Sequence, residues 1–141
     1  MAIINYNDID GGLLKAIQQA GHNVREVDGV MTSTDDVAVQ AIIDSHDYLP
    51  NAKKVKIETL KDEAVNRANE LYENITTFDE MLLVRDIMLS VAPAARSLTT
   101  NIQKLSDIYQ AGDQARTDIN ALTDIDLIRA YDVVNTPTWP V

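Results

Sequence analysis

The chain has 141 residues with 45% hydrophobic and 5% aromatic content, no cysteine, and a formal net charge of −10. That length suits one modest domain with a core filled by Leu, Ile, Val and Ala. The acidity opposes nucleic acid and anionic membranes, whose phosphates call for Lys and Arg. The lack of cysteine removes disulfides, thiolate metal sites and cysteine nucleophiles together.

In chain order, "AIINY" (2–6) is a short β-prone run ended by Asn7 and Asp8. "GGLLKAIQQAGHN" then places Leu13, Leu14, Ile17 and Ala20 at helical spacing, with Gly21 at the C-terminal cap. In "VREVDGVMT" the Asp28-Gly29 pair between β-branched residues predicts a tight hairpin. Residues 1–32 thus read as a small mixed α/β module. From Thr32, "TSTDD" supplies a capping hydroxyl and first-turn acids for a helix carrying Val39, Ile42, Ile43 and His46. Pro50 then opens a long helix over 51–75, striped by Ile57, Leu60, Ala64, Ala68, Leu71 and Ile75.

Thr77 and Glu80 have capping-box spacing and start a separate helix over 78–91. Phe78, Leu82, Leu83, Val84, Ile87, Met88 and Val91 leave it few polar positions, so it is expected at the centre, covered on most sides. Pro93 closes it. The next helix, 98–122, repeats Ile102, Leu105, Ile108, Ala115, Ile119 and Leu122 near a seven-residue period. Gly112 interrupts this stripe, either allowing close helix approach or marking a kink. "TDIDLIRAY" predicts a short helix beginning with Thr123, and 135–141 an extended tail. The expected fold is therefore mainly α. A helical region over 33–134 forms an antiparallel bundle or hairpin with arms of roughly 35 Å, joined to the α/β module, and apolar stripe is left over for another chain.

Candidate chemistry is sparse. Asp8, Asp10 and Gly11 fail the calcium-loop template, which would put Tyr6 and Ile17 at ligand positions. His22 and His46 stand apart and read as helix-end residues, short of the three or four ligands zinc needs. The serines lack a Gly-x-Ser-x-Gly elbow, and no glycine-rich phosphate loop is present. The locally basic "NAKKVKIETLK" (51–61) carries interleaved acids and reads as a solvated helix face. No run approaches the length of about 18 apolar residues that spans a bilayer, and the first residues lack a signal-peptide pattern. A non-enzymatic protein without metal or cofactor is expected, working through protein contacts in the cytosol or in a particle assembled there.

Three segments carry a resemblance: "VQAIIDSHDYLP" (39–50), "FDEMLLVRDIMLSVAPAARS" (78–97) and "AYDVVNTPTWP" (130–140). Together they resemble small tail-associated proteins of tailed bacteriophages and prophages, encoded near tail-fibre genes. The likeness covers 37–141, with "LSVAPAARS" (89–97) and "TPTWP" (136–140) its most distinctive elements. Met88 stands where that pattern has a tryptophan, leaving Trp139 as the only one in the chain. The resemblance implies a virion tail component or adaptor at the fibre or baseplate. The alternative it leaves open is a tail-fibre assembly chaperone acting in the host cytoplasm. Partners would be other tail proteins, in a homo- or hetero-oligomer. The candidate contact residues are Pro137, Trp139 and Pro140 in the tail, and Leu82, Leu83 and Met88 on the apolar helix. The two prolines bias their neighbours toward extended backbone. The tail therefore suits docking, either as a clasp on its own helices or as a hook for another chain.

Overall fold

The protein is mainly helical. A computed structural model describes residues 2–4, 11–27, 30–33, 36–72, 75–91 and 96–141. Contacts divide the chain into two units, Met1–Asn51 and Ala52–Val141.

In the first unit, strands β1 (Ala2–Ile4), β2 (Arg25–Val27) and β3 (Val30–Ser33) form a sheet in the order β1-β3-β2. Both pairings are antiparallel, with Ile3 opposite Thr32 and Val27 opposite Val30. The Asp28-Gly29 turn itself lies outside the described residues, as do Asn5, Tyr6, Asp8 and Asp10. Helix α1 (Gly11–Gln19) buries Leu13 and Ile17. It ends as its glycine predicts: Gly21 has φ +88°, its N–H donates to Gln18 O at 2.9 Å, and His22 N–H donates to Ile17 O at 3.2 Å. This pair of bonds is a Schellman cap, and glycine takes its left-handed backbone without a Cβ penalty. Helix α2 (Asp36–Ser45) adds Val39 to the cluster of Leu13 and Ile17, with Ile42, Ile43 and Tyr48 packed around them.

The second unit contains most of α3 (Leu49–Asn69), then α4 (Glu80–Val91), α5 (Arg96–Ala121) and α6 (Ile125–Ala130). The α3 stripe continues in sequence to Ile75, yet the helix stops at Asn69. The reason lies in the Asn69 side chain. Its Nδ2 donates to Ile75 O at 2.7 Å and its Oδ1 accepts from Ile75 N–H at 2.9 Å. One amide thus serves both backbone groups of a buried residue and folds the chain back. Asn69→Ala is expected to cost about 1–3 kcal/mol, because those two groups lose their partner; urea unfolding measures it.

The capping box at α4 forms in both directions. Glu80 N–H donates to Thr77 Oγ1 and Thr77 N–H donates to Glu80 Oε2, each at 3.3 Å. Thr76 N–H adds a 2.9 Å bond to the same carboxylate. The Thr76 backbone bond, with its hydroxyl bond second, holds Glu80 below the ordinary 4.5. A lowered folded-state value means this contribution is complete above 4.5 and disappears as pH falls through the depressed value. Glu80→Gln is therefore expected to melt below wild type at neutral pH, with the gap closing as pH drops below that range. Thermal melts from about pH 7 to pH 3 test it.

Helix α4 differs from its expected central position. Met81 is fully buried and Phe78, just before the helix, is nearly so, but Leu83 is 59% and Ile87 48% exposed. Leu82 and Val84 are half-buried. At about 100° per residue, the inward row runs through positions 78, 81 and 84, while 83 and 87 fall to another side. Composition indicated a helix apolar all round, whereas packing covers only part of it.

Among the described residues, two clusters contribute to this unit's core. One joins Ala64, Ala68, Ile75, Phe78, Met81, Leu105 and Ile108. The other joins Leu60, Ala115, Ile119 and Val133. Gly112 faces the Phe78 ring closely: a Cβ there would be 2.7 Å from Phe78 Cε2 and 3.7 Å from Ala64 Cβ. The close approach at this glycine is made by the Phe78 ring, and α5 continues through it as one helix. Helix α6 is capped by Asp124, whose side chain accepts from Asp126 N–H at 2.8 Å, one residue later than the expected start at Thr123. Its Ile128 is fully buried.

Candidate functional site

The C-terminal segment after α6 is shaped residue by residue. Asp132 Oδ1 accepts from Val134 N–H at 2.9 Å and Asn135 N–H at 3.1 Å, while Oδ2 accepts from Asn135 Nδ2 at 2.7 Å. These bonds make an Asx turn. They also lower the Asp132 pKa from 3.8, with the Asn135 side chain the largest cause, then the two backbone bonds, and Lys56 adding to them. Thr136 N–H donates to Asp132 O at 2.9 Å, so the chain reverses before Pro137. Trp139 N–H then donates to Pro137 O at 2.9 Å, closing a three-residue turn that aims the indole inward.

Trp139 packs against both core clusters of the second unit. Its Nε1 donates to Val133 O at 3.1 Å. The Arg67 guanidinium lies 5.1 Å from the ring centroid, in cation–π range. Arg67 is itself held by Glu63 at 2.7 Å, one helical turn back, and its Nη2 donates to Val134 O at 3.5 Å. The tail is therefore fixed by apolar area, one indole bond and one cation.

Of the residues singled out in the sequence, the structure brings Trp139 onto the helices, with Pro137 half-buried and supplying the turn carbonyl. Pro140 lines a groove with Arg67, Glu70, Leu71, Lys104, Ile108 and Val141. Leu82 and Leu83 belong to α4 and lie outside both clusters that Trp139 packs against. The Met88 side chain lies outside the described residues, although its backbone belongs to α4.

Sequence reasoning missed the cations. Lys56 Nζ donates to Arg129 O and Tyr131 O, both at 3.0 Å, tying the end of α6 to α3. Lys53 Nζ donates to Asn120 O at 2.6 Å, on the last turn of α5. The run "NAKKVK" thus places positive charge on the electronegative ends of two helices. Its spacing shows only that Lys53 and Lys56 share a face, since the carbonyls they reach are 67 and more positions away. Burial, with Asp118 second, raises the Tyr131 phenol above 10.0, so this side chain stays neutral beside them.

No helix among the described residues is long and apolar enough to cross a membrane. Compared with known proteins, the chain matches no family model, no curated protein and no solved structure.

Proposed function

We propose that this protein is a non-enzymatic component of a bacteriophage tail, an adaptor at the fibre or baseplate that works through protein contacts. The observation that carries the contact role is on α4, where Leu83 and Ile87, one turn apart, stay 59% and 48% exposed. Two large aliphatic side chains at i and i+4 make a strip that a partner helix or strand from another tail protein can cover. The tail setting rests on the resemblance of residues 37–141 carried by "LSVAPAARS" and "TPTWP".

The proposed architecture is an antiparallel helical bundle with a small N-terminal α/β module. Supporting it, Lys53 meets Asn120, Leu60 clusters with Ala115 and Ile119, and Ala68 with Leu105 and Ile108. Positions rise along α3 as they fall along α5.

Mass spectrometry of purified particles tests the reading. Peptides of this chain in mature virions support a structural component. Their absence from virions, with copurification of the chain and fibre protein from infected cells, makes it an assembly chaperone instead. Leu83→Asp with Ile87→Asp is expected to abolish incorporation while leaving the isolated fold intact.

A further inference from the structure

Residues 124–141 are bonded together as one piece. Asp124 caps α6 through Asp126 N–H, the Asp132 side chain shapes the turn that follows, and the Trp139 indole closes the loop on Val133 O. These bonds join partners inside the segment, so they survive its departure from the other helices. Its seat includes one face of α3. Lys56 and Arg67 are eleven residues apart, three helical turns and about 20°, and share that face with Leu60 between them. Lys56 holds the Arg129 and Tyr131 carbonyls, Leu60 clusters with Val133, and Arg67 reaches Val134 O and the Trp139 ring. Charge follows the same division. In a chain of net charge −10, α3 carries five Lys/Arg against three Asp/Glu, whereas residues 124–141 carry three Asp against one Arg. Leu122, Thr123 and Asp124 are all that separates α5 from α6, and Asp124 has extended backbone at φ −103°, ψ 122°. A few such positions suffice for a hinge.

We propose that this segment exchanges between copies: residues 124–141 of one chain dock on the α3 face of a second copy, and the two chains form a swapped pair. The occupant is the segment the structure already seats there, so shape, charge and hydrogen bonds fit without a new surface. Exchange keeps the bonds inside the segment and replaces each contact with α3 by an identical one, which makes it a low-cost route to a dimer. Its cost is the entropy of association, which falls in weight as concentration rises. Net negative charge opposes self-association. The attraction between segment and α3 acts at contact, well inside the roughly 10 Å over which salt screens the repulsion between chains. The inference is independent of the phage reading, because it rests on the seat of this segment alone.

Two measurements on the full-length chain test it. In the first, a fluorescein-labelled peptide of residues 123–141 is titrated with wild type and with Trp139→Ala, and anisotropy reads binding. The wild-type chain's own segment holds the seat at a millimolar effective concentration, whereas the variant's segment holds it weakly. Saturable binding to Trp139→Ala is expected to be at least about tenfold tighter than to wild type. Adding Lys56→Gln to that variant is expected to weaken it at least about fivefold. In the second, wild type is refolded from urea at about 10 µM to about 1 mM, and light scattering is expected to show a dimer fraction that rises with refolding concentration. This measurement decides the matter if Trp139→Ala does not fold. No saturable binding to folded Trp139→Ala, equal binding to both chains, or indifference to Lys56→Gln overturns the seat. Monomer at every refolding concentration overturns the exchange. So does a dimer that Leu83→Asp with Ile87→Asp dissolves, because α4 then holds it.

Discussion

Trp139→Ala is expected to lower the unfolding free energy by about 2–4 kcal/mol, below the upper range for tryptophan truncation because the ring is half-buried. For a chain of this size that corresponds to a Tm lower by about 6–15 °C, measured by circular dichroism since the variant has no tryptophan. The loss combines three contributions: contact with two core clusters, the Nε1 bond to Val133 O, and the Arg67 cation over the ring. Trp139→Phe separates them. It keeps most of the apolar contact and lacks the indole N–H, so it is expected to cost about 1 kcal/mol. Deleting residues 136–141 is expected to cost at least as much as Trp139→Ala, because Pro137 and Pro140 are half-buried as well. A deletion that leaves Tm unchanged but removes partner binding would show that the tail serves as an intermolecular hook.

Gly112→Ala is the second informative change, since two effects of opposite sign meet there. Alanine in a helix interior is favoured over glycine by about 0.5–1 kcal/mol. Against this, the new Cβ would be 2.7 Å from Phe78 Cε2, far inside contact distance. The ring has little freedom to retreat: Phe78 is 4% exposed and stacks on Tyr109 with centroids 4.6 Å apart. Overpacking of this kind costs about 1–3 kcal/mol, so it outweighs the helical gain and the net loss is about 1–2 kcal/mol. The Gly112→Ala, Phe78→Leu double variant is expected to be more stable than the sum of its single losses predicts, because the smaller side chain vacates the collision. Additive losses in that cycle would place the cause elsewhere.

What was legible in the sequence divides along physical lines. Gly21, Thr77 and Glu80 announced helix ends because capping acts within about five residues, and the observed bonds are local ones. The stripe of Leu60, Ala64 and Ala68 announced a buried face because helical periodicity is a property of neighbouring positions. The extent of α3 was not legible, since Asn69 ends it by bonding Ile75 across a turn, and asparagine has no unique signature for that.

The candidate site shows the same limit. The sequence alone marked "TPTWP" as a stiffened segment with the chain's single indole, because proline restriction and composition need no neighbours. Which surface the indole meets, and that Arg67 lies over it from 72 positions earlier, depended on the tertiary structure. So did the contrast between the buried Phe78 and Met81, at and just before the start of α4, and the exposed pair Leu83 and Ile87 on it. Hydropathy records how apolar each side chain is, but exposure depends on which neighbours arrive from distant parts of the chain. The sequence by itself thus determined a mainly helical, acidic, cysteine-free chain with its local caps and a tail suited to docking. The tertiary structure decided the rest: where that tail lies, why Gly112 has no side chain, and which cations close the helix ends. Each of these depends on residues far apart in the chain meeting within a few ångströms.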